Sequence, residues 1–183
     1  MKENKRGKFP AFLKGDYMKK VAIIGYSGKI SKNLESICIS LGEALADKYI
    51  VLTGGRDGVM EVVAKGVKKA NGICIGILPF DEKGNPHNSL DIVTGLDFQM
   101  RSFILLKNAN AVISIGGEIG TAIEILGAYA YAKPTILFKG TGGWTDKIQN
   151  VLIDGKYLDN RKIMELRFAD NIEKILKLLE ELI

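Results

Sequence analysis

The chain is poor in the residues that staple or metallate small domains. Its 183 residues include two cysteines, four prolines, one tryptophan and one histidine. Cys38 and Cys74 stand apart in the apolar stretches SICISLG and GICIGIL, so neither a disulfide scaffold nor a zinc site is expected, and no metal ligands are assigned. The single His87 lies in the turn-like GNPHNS, which argues against a Ser/His/Asp triad. No apolar run approaches the ~20 residues of a membrane span. The basic opening MKENKRGKFPAFLKGDY lacks the apolar stretch of a secretory leader. A cytoplasmic protein without a membrane partner is expected.

A sustained excess of one charge is missing as well. The net charge of +5 gathers at the start, where residues 1–17 hold five Lys/Arg against two Asp/Glu. Residues 18–183 hold 21 against 19, with no basic stripe interleaved with aromatics, so nucleic acid is not an expected partner. Residues 1–17 read as a basic, flexible extension with little to bury. Residues 18–183 read as a single Rossmann-like nucleotide-phosphate-binding domain.

What is present is glycine, 21 copies of it, set between short apolar runs. VAIIG (21–25), YIVLTGG (49–55), ICIGIL (73–78), AVISIGG (111–117) and PTILF (134–138) read as buried strands, with LDIVTG (90–95) and IMELRF (163–168) as shorter ones. Between them lie amphipathic stretches. Leu34, Ile37, Cys38, Leu41 and Leu45 form one helical stripe, and Val59, Val63 and Val67 form another that ends at Gly72. FQMRSFILLKNA (98–109), residues 120–132 and a last helix capped by Asp170 complete the set. Continuous apolar strands alternating with helices predict an α/β fold: a Rossmann-like, doubly wound open parallel sheet of six or seven strands with helices on both faces. Ligands of such sheets bind outside the carboxyl ends of the strands.

Glycines collect where that rule puts a site: at Gly25 and Gly28 around Ser27, at Gly54 and Gly55, at Gly116, Gly117 and Gly120 before Thr121, and at Gly140, Gly142 and Gly143. Such turns let backbone approach a phosphate, and the helix that follows offers free N–H groups and a positive dipole end. Neither a dinucleotide fingerprint nor a Walker A loop is met. GYSGKI lacks the third glycine in register, and no GK[ST] follows a glycine loop of the right length.

The pair TGGRDGVMEVVAKG (53–66) and SIGGEIGTAIE (114–124) resembles the LONELY GUY and molybdenum-cofactor-carrier-like group, which carries an old lysine decarboxylase label. The resemblance spans about residues 19–183 and is strongest to the small carrier-like branch, with GLDFQMRSFILLKNA also in keeping. It implies a binding protein for a nucleotide or pterin phosphate, with no required cofactor but with a bound nucleotide or molybdenum cofactor as ligand. The alternative it implies is a phosphoribohydrolase that cleaves nucleoside 5′-monophosphates to base and ribose 5-phosphate. On that resemblance Gly116, Gly117, Gly120 and Thr121 form the phosphate loop, and Arg101 and Glu124 are the catalytic pair. Three departures bear on hydrolysis: one extra residue before Gly120, Ile115 where the group has proline, and Ser102 where it has lysine. Decarboxylation is not supported, because a pyridoxal-phosphate lysine needs a much larger fold. The apolar stretch TAIEILGAYAYA (121–132) adds the expectation of a homo-oligomer.

Overall fold

The computed structural model describes residues 18–183; the flexible extension expected for residues 1–17 lies outside the described residues. The first half of the fold runs β1 (Lys19–Gly25), α1 (Lys32–Leu45), β2 (Tyr49–Thr53), α2 (Val59–Lys69), β3 (Cys74–Leu78) and β4 (Leu90–Val93). The second runs α3 (Phe98–Asn108), β5 (Ala111–Ile115), α4 (Ile119–Ala130), β6 (Thr135–Phe138), α5 (Gly143–Lys147), β7 (Leu166–Ala169) and α6 (Ile172–Leu182). The seven strands form one parallel sheet in the order β4-β3-β2-β1-β5-β6-β7.

The order explains where the helices go. Right-handed crossovers that step outward from β1 to β3 put α1 and α2 on one face of the sheet. Crossovers that step the other way, from β4 back to β5 and on to β7, put α3, α4 and α5 on the opposite face. The core is accordingly two-layered. Val21 and Ile23 of β1 pack with α1, α2 and α6, while Ala22 and Ile24 pack with α3 and α4. Between β3 and β4 the chain makes a parallel connection with no helix, through the loop 79–89. That loop is tied back by Asn85 and Asn88, whose side-chain amides donate to the Gly55 carbonyl at 3.0 and 3.1 Å.

Helix α1 starts on Ser31, whose hydroxyl accepts from the Leu34 N–H at 3.3 Å. Its predicted stripe is buried at Leu34, Cys38, Leu41 and Leu45, with Ile37 at the margin. Helix α2 buries Val59, Val63 and Val67 as expected, but Gly72 does not break it. The left-handed residue is Asn71 at φ 59°, and Gly72 is needed because a Cβ there would press on Ala46. At α6 the cap is Asn171 and not Asp170: the Asn171 Oδ1 accepts from the Lys174 N–H at 2.8 Å. The expected strand at 163–168 forms later, as the edge strand β7.

Helices α1 and α2 cross where neither has a side chain. A Cβ on Gly66 would collide with the backbone of Ile39, and one on Gly42 with the backbone of Val63. Because backbone cannot swing aside, Gly66→Ala should cost about 1–3 kcal/mol of unfolding free energy in urea titration, the range for overpacking a close contact. An unchanged midpoint would show that the two helices can slide apart freely.

Candidate functional site

At the carboxyl ends of β1, β2 and β5 the sheet opens into a cleft of about 290 Å³, near the lower end of small-molecule sites, which start at ~300 Å³. Seven of the residues singled out in the sequence line it: Gly25, Ser27, Gly54, Arg101, Gly120, Thr121 and Glu124. They come from four separate segments of the chain, which the sheet order brings together.

Gly55, Gly116 and Gly117 do not line the cleft. Gly55, at φ 76°, backs onto Gly76 and Leu78 beneath the 79–89 loop. Gly116 and Gly117, at φ 61° and 91°, are engaged by the fourth glycine turn behind them. The Gly116 N–H donates to the Thr141 hydroxyl at 2.8 Å, and the Gly117 carbonyl accepts from the Trp144 N–H at 2.8 Å. A Cβ on Gly117 would also strike the Thr121 side chain. These two glycines and Gly140–Gly143 therefore shape and brace the turn. The open part of the expected phosphate loop narrows to Gly120 and Thr121 in the first turn of α4. Gly120 has no atom within 4 Å of where a Cβ would stand, so it faces free space. Glu118 holds the cap position of α4 but makes no side-chain capping bond.

The floor of the cleft is polar and buried. Arg101 and Ser102 project from α3, a helix started by Asp97, whose carboxylate accepts from the Met100 N–H at 2.8 Å. Arg101 is only 6% exposed, and its Nε has no hydrogen-bond partner. Its guanidinium lies against Gly54, and a side chain there would displace it, which explains a glycine at that strand end. Among the described residues Arg101 forms no ion pair. Burial pulls its pKa below the usual arginine value, countered by Glu124, and it still carries its charge. A buried cation short of an anion is an unfinished interaction.

Glu124, 8% exposed, points from the second turn of α4 to Ser102, whose Oγ lies 2.7 Å from Oε1. The same hydroxyl lies 3.0 Å from the Phe98 carbonyl. One hydroxyl proton cannot serve both acceptors. Ser102 donates to Glu124 Oε1, and the Phe98 carbonyl competes for the same proton. Burial raises the Glu124 pKa above the usual carboxylate value, while Ser102 and Arg101 pull it back in part.

Arg56 and Phe98 also line the cleft, and periodicity could not single them out. Arg56 was visible only as a charge inside a glycine turn. The Phe98 ring was one more apolar residue at a helix start. His87 sits in the 79–89 loop, its backbone N–H bonded to Asn85, and does not line the cleft. Burial pushes both Cys38 and Cys74 up to about 12, so neither is a ready nucleophile. No group of three or more metal-ligating side chains occurs among the described residues.

The raised Glu124 pKa has a consequence for stability. The folded chain holds this proton more tightly than the unfolded chain, so the stabilisation is complete below the unfolded value of about 4.3 and is lost as pH rises through the folded one. Glu124→Gln cannot ionise. Its Tm should match the parent's at acid pH and move above it toward neutrality, in ligand-free melts followed by circular dichroism. A constant difference across pH would show that Glu124 ionises as freely in the folded chain as in the unfolded one.

Comparison with known proteins places this geometry. The X-ray structure of TM1055, a structural-genomics target, is 60% identical, covers 90% of this chain and 99% of its own, and superposes with a TM-score of 0.87. The molybdenum cofactor carrier protein of Chlamydomonas reinhardtii is 28% identical, with coverage of 91% and 98% and a TM-score of 0.77. An uncharacterised protein of Archaeoglobus fulgidus is 33% identical over 128 residues, 66% of this chain and 83% of its own length. The profile of the SLOG cluster4 family matches residues 18–175. With nearly all of the described fold inside that match, the chain belongs to the SLOG cluster4 family.

Proposed function

We propose that residues 18–183 form a single cytoplasmic binding domain for a small phosphate-bearing ligand, a nucleotide or a pterin phosphate such as the molybdenum cofactor. The observation that carries this reading is the Arg101 guanidinium, buried at the cleft floor with an unpartnered Nε. An anion delivered by a ligand completes it. The phosphate sits at the first turn of α4, where Gly120 leaves room and the helix end supplies N–H donors and partial positive charge. Gly25, Ser27 and Gly54 form the facing wall. Likeness to the Chlamydomonas reinhardtii carrier supports the pterin form of the ligand.

One observation favours hydrolysis of nucleoside 5′-monophosphates as a second reading. Glu124 stands on the same helix as the phosphate turn, with its carboxyl group held toward the protonated form. Glu124 then hands its proton to the departing base as the N-glycosidic bond breaks. Water adds to the sugar carbon, and its released proton restores Glu124. Arg101 fixes the phosphate through this exchange.

We extend the proposal to a homo-oligomer. Ile119 and Leu126 on α4, with Met100 and Ile104 on α3, are exposed apolar side chains on neighbouring helices. A second copy is the occupant that such a face suits. A monomeric mass by light scattering at micromolar concentration would remove this part.

Gly120→Val tests the site without disturbing the core, since its side chain enters free space. The variant should melt like the parent and lose binding of AMP in a calorimetric panel of nucleoside monophosphates, by at least 10-fold on the scale of 1.4 kcal/mol per decade. Glu124→Gln should keep binding and abolish any release of free base. Base release that survives Glu124→Gln removes Glu124 from catalysis, and AMP binding that survives Gly120→Val removes the phosphate from α4.

A further inference from the structure

At the mouth of the cleft, three side chains from distant parts of the chain are stacked in series. The Phe80 ring meets Phe98 edge to face, with centroids 5.4 Å apart and planes at 88°. The Arg56 guanidinium lies over the Phe98 ring, its carbon 5.0 Å from the centroid. Arg56 is held from the side by Glu82, with Nε 3.1 Å from Oε2, and both side chains are 35% exposed. The backbone beneath is pinned too, because the Asn85 side-chain amide donates to the Arg56 carbonyl at 2.8 Å. Arg56 and Phe98 line the cleft that holds Arg101.

We infer that Arg56 is a stacking platform in this cleft, taking the flat heteroaromatic ring of the ligand on the guanidinium face that Phe98 leaves open. A guanidinium is planar, makes ion pairs and hydrogen bonds at its edge, and stacks through its faces. Here Glu82 takes Nε at the edge, and the guanidinium carbon lies over the Phe98 ring. Arg56 lines the cleft with its side chain 35% exposed, which leaves guanidinium surface open to a ligand ring. Glu82 does not compete with a ring at that surface. It holds the plane in place and offsets the charge, so the platform sits close to Arg101 with less repulsion between the two guanidinium groups.

This inference rests on the phosphate-ligand reading for the far end of the cleft but makes a separate claim about the near end. A ring on Arg56 and a phosphate at α4 place the two ends of one nucleotide-like molecule against different residues. The platform selects for a flat π-system and is indifferent to which heterocycle supplies it. Adenine and a pteridine are therefore both accepted, and a bare sugar phosphate loses the contact.

The test compares three probes by calorimetry on the full chain: AMP, adenosine and ribose 5-phosphate. Arg56→Met keeps an unbranched side chain and removes the plane and charge. It should weaken AMP and adenosine by roughly 5- to 30-fold, equal to about 1–2 kcal/mol, and leave ribose 5-phosphate unchanged. Phe98→Leu, which takes away the layer beneath, should act in the same direction with the same selectivity. Thermal melts report whether each variant is folded, and either variant alone decides the matter. Equal loss for AMP and ribose 5-phosphate would make Arg56 a phosphate ligand and overturn the platform. Ring probes that bind Arg56→Met and Phe98→Leu as well as the parent overturn it too, as does a parent that binds ribose 5-phosphate but gains nothing from the base. A parent that binds adenosine but no phosphate compound refutes the phosphate reading and leaves the platform standing. A parent that binds none of the three refutes both.

Discussion

Where β1 lies beside β5, the crossovers change face: α1 leaves on one side of the sheet and α4 on the other. Two helices that diverge from neighbouring strand ends cannot cover those ends, and the space left is the cleft. The pairing is close enough to dictate residue type. A Cβ on Gly25 would overlap the Ile115 carbonyl, so the last residue of β1 must be glycine for β5 to run alongside it. The α4 N-terminus then hangs over the strand ends. Arg101 reaches them from α3, the helix that returns the chain from β4 to the middle of the sheet.

Burial at this opening produces the electrostatics. Arg56 and Glu82 offset one another at the mouth, Arg101 stays charged, and Glu124 is held toward its neutral form. An ionised Glu124 would cancel Arg101 and leave an anionic ligand little to meet. Ser102 matters here because its hydroxyl is shared between Glu124 and the Phe98 carbonyl, so it offsets only part of the burial that raises the carboxyl pKa. A lysine at that position would invert the arrangement by stabilising the carboxylate. Cavity shape and protonation state thus follow from the same few residues on α3 and α4.

Periodicity made the scaffold legible: the apolar strand runs and the stripes of α1 and α2 appear where spacing put them. It did less well where two residues compete for one job. Asp170 and Asn171 are both capable caps, and the bond from the Lys174 N–H falls to Asn171; Asn71 and Gly72 are both capable helix stops, and packing against Ala46 reserves the second position for glycine. The site was legible through glycine clustering, yet a glycine motif does not separate backbone that faces a ligand from backbone that braces a turn. Gly120 faces the open cleft, while Gly116 and Gly117 brace the turn, and the hydrogen bonds to the Thr141–Trp144 turn distinguish them. Arg56, Phe80, Glu82 and Phe98 carry no joint signal along the chain because two loops and the start of α3 must come together before they touch.

The unfilled Arg101 also couples ligand to fold. Desolvating a guanidinium without a full set of partners costs free energy in the unliganded protein, and an anion that binds only the folded state recovers it. The same step favours a carrier as readily as an enzyme, since it tightens the ground-state complex and does nothing selective for a transition state. What would convert the cleft to catalysis is Glu124, which must give up its proton while the ligand is bound and regain it afterward. Its burial makes the proton easier to keep and costlier to lose, with Ser102 and Arg101 acting in the opposite direction. A hydrolase on this scaffold must therefore stabilise Glu124 as an anion next to a sugar cation, with Arg101 the nearest source of help. A carrier needs only the charged guanidinium and an acid that resists ionisation, the direction in which burial already pushes Glu124.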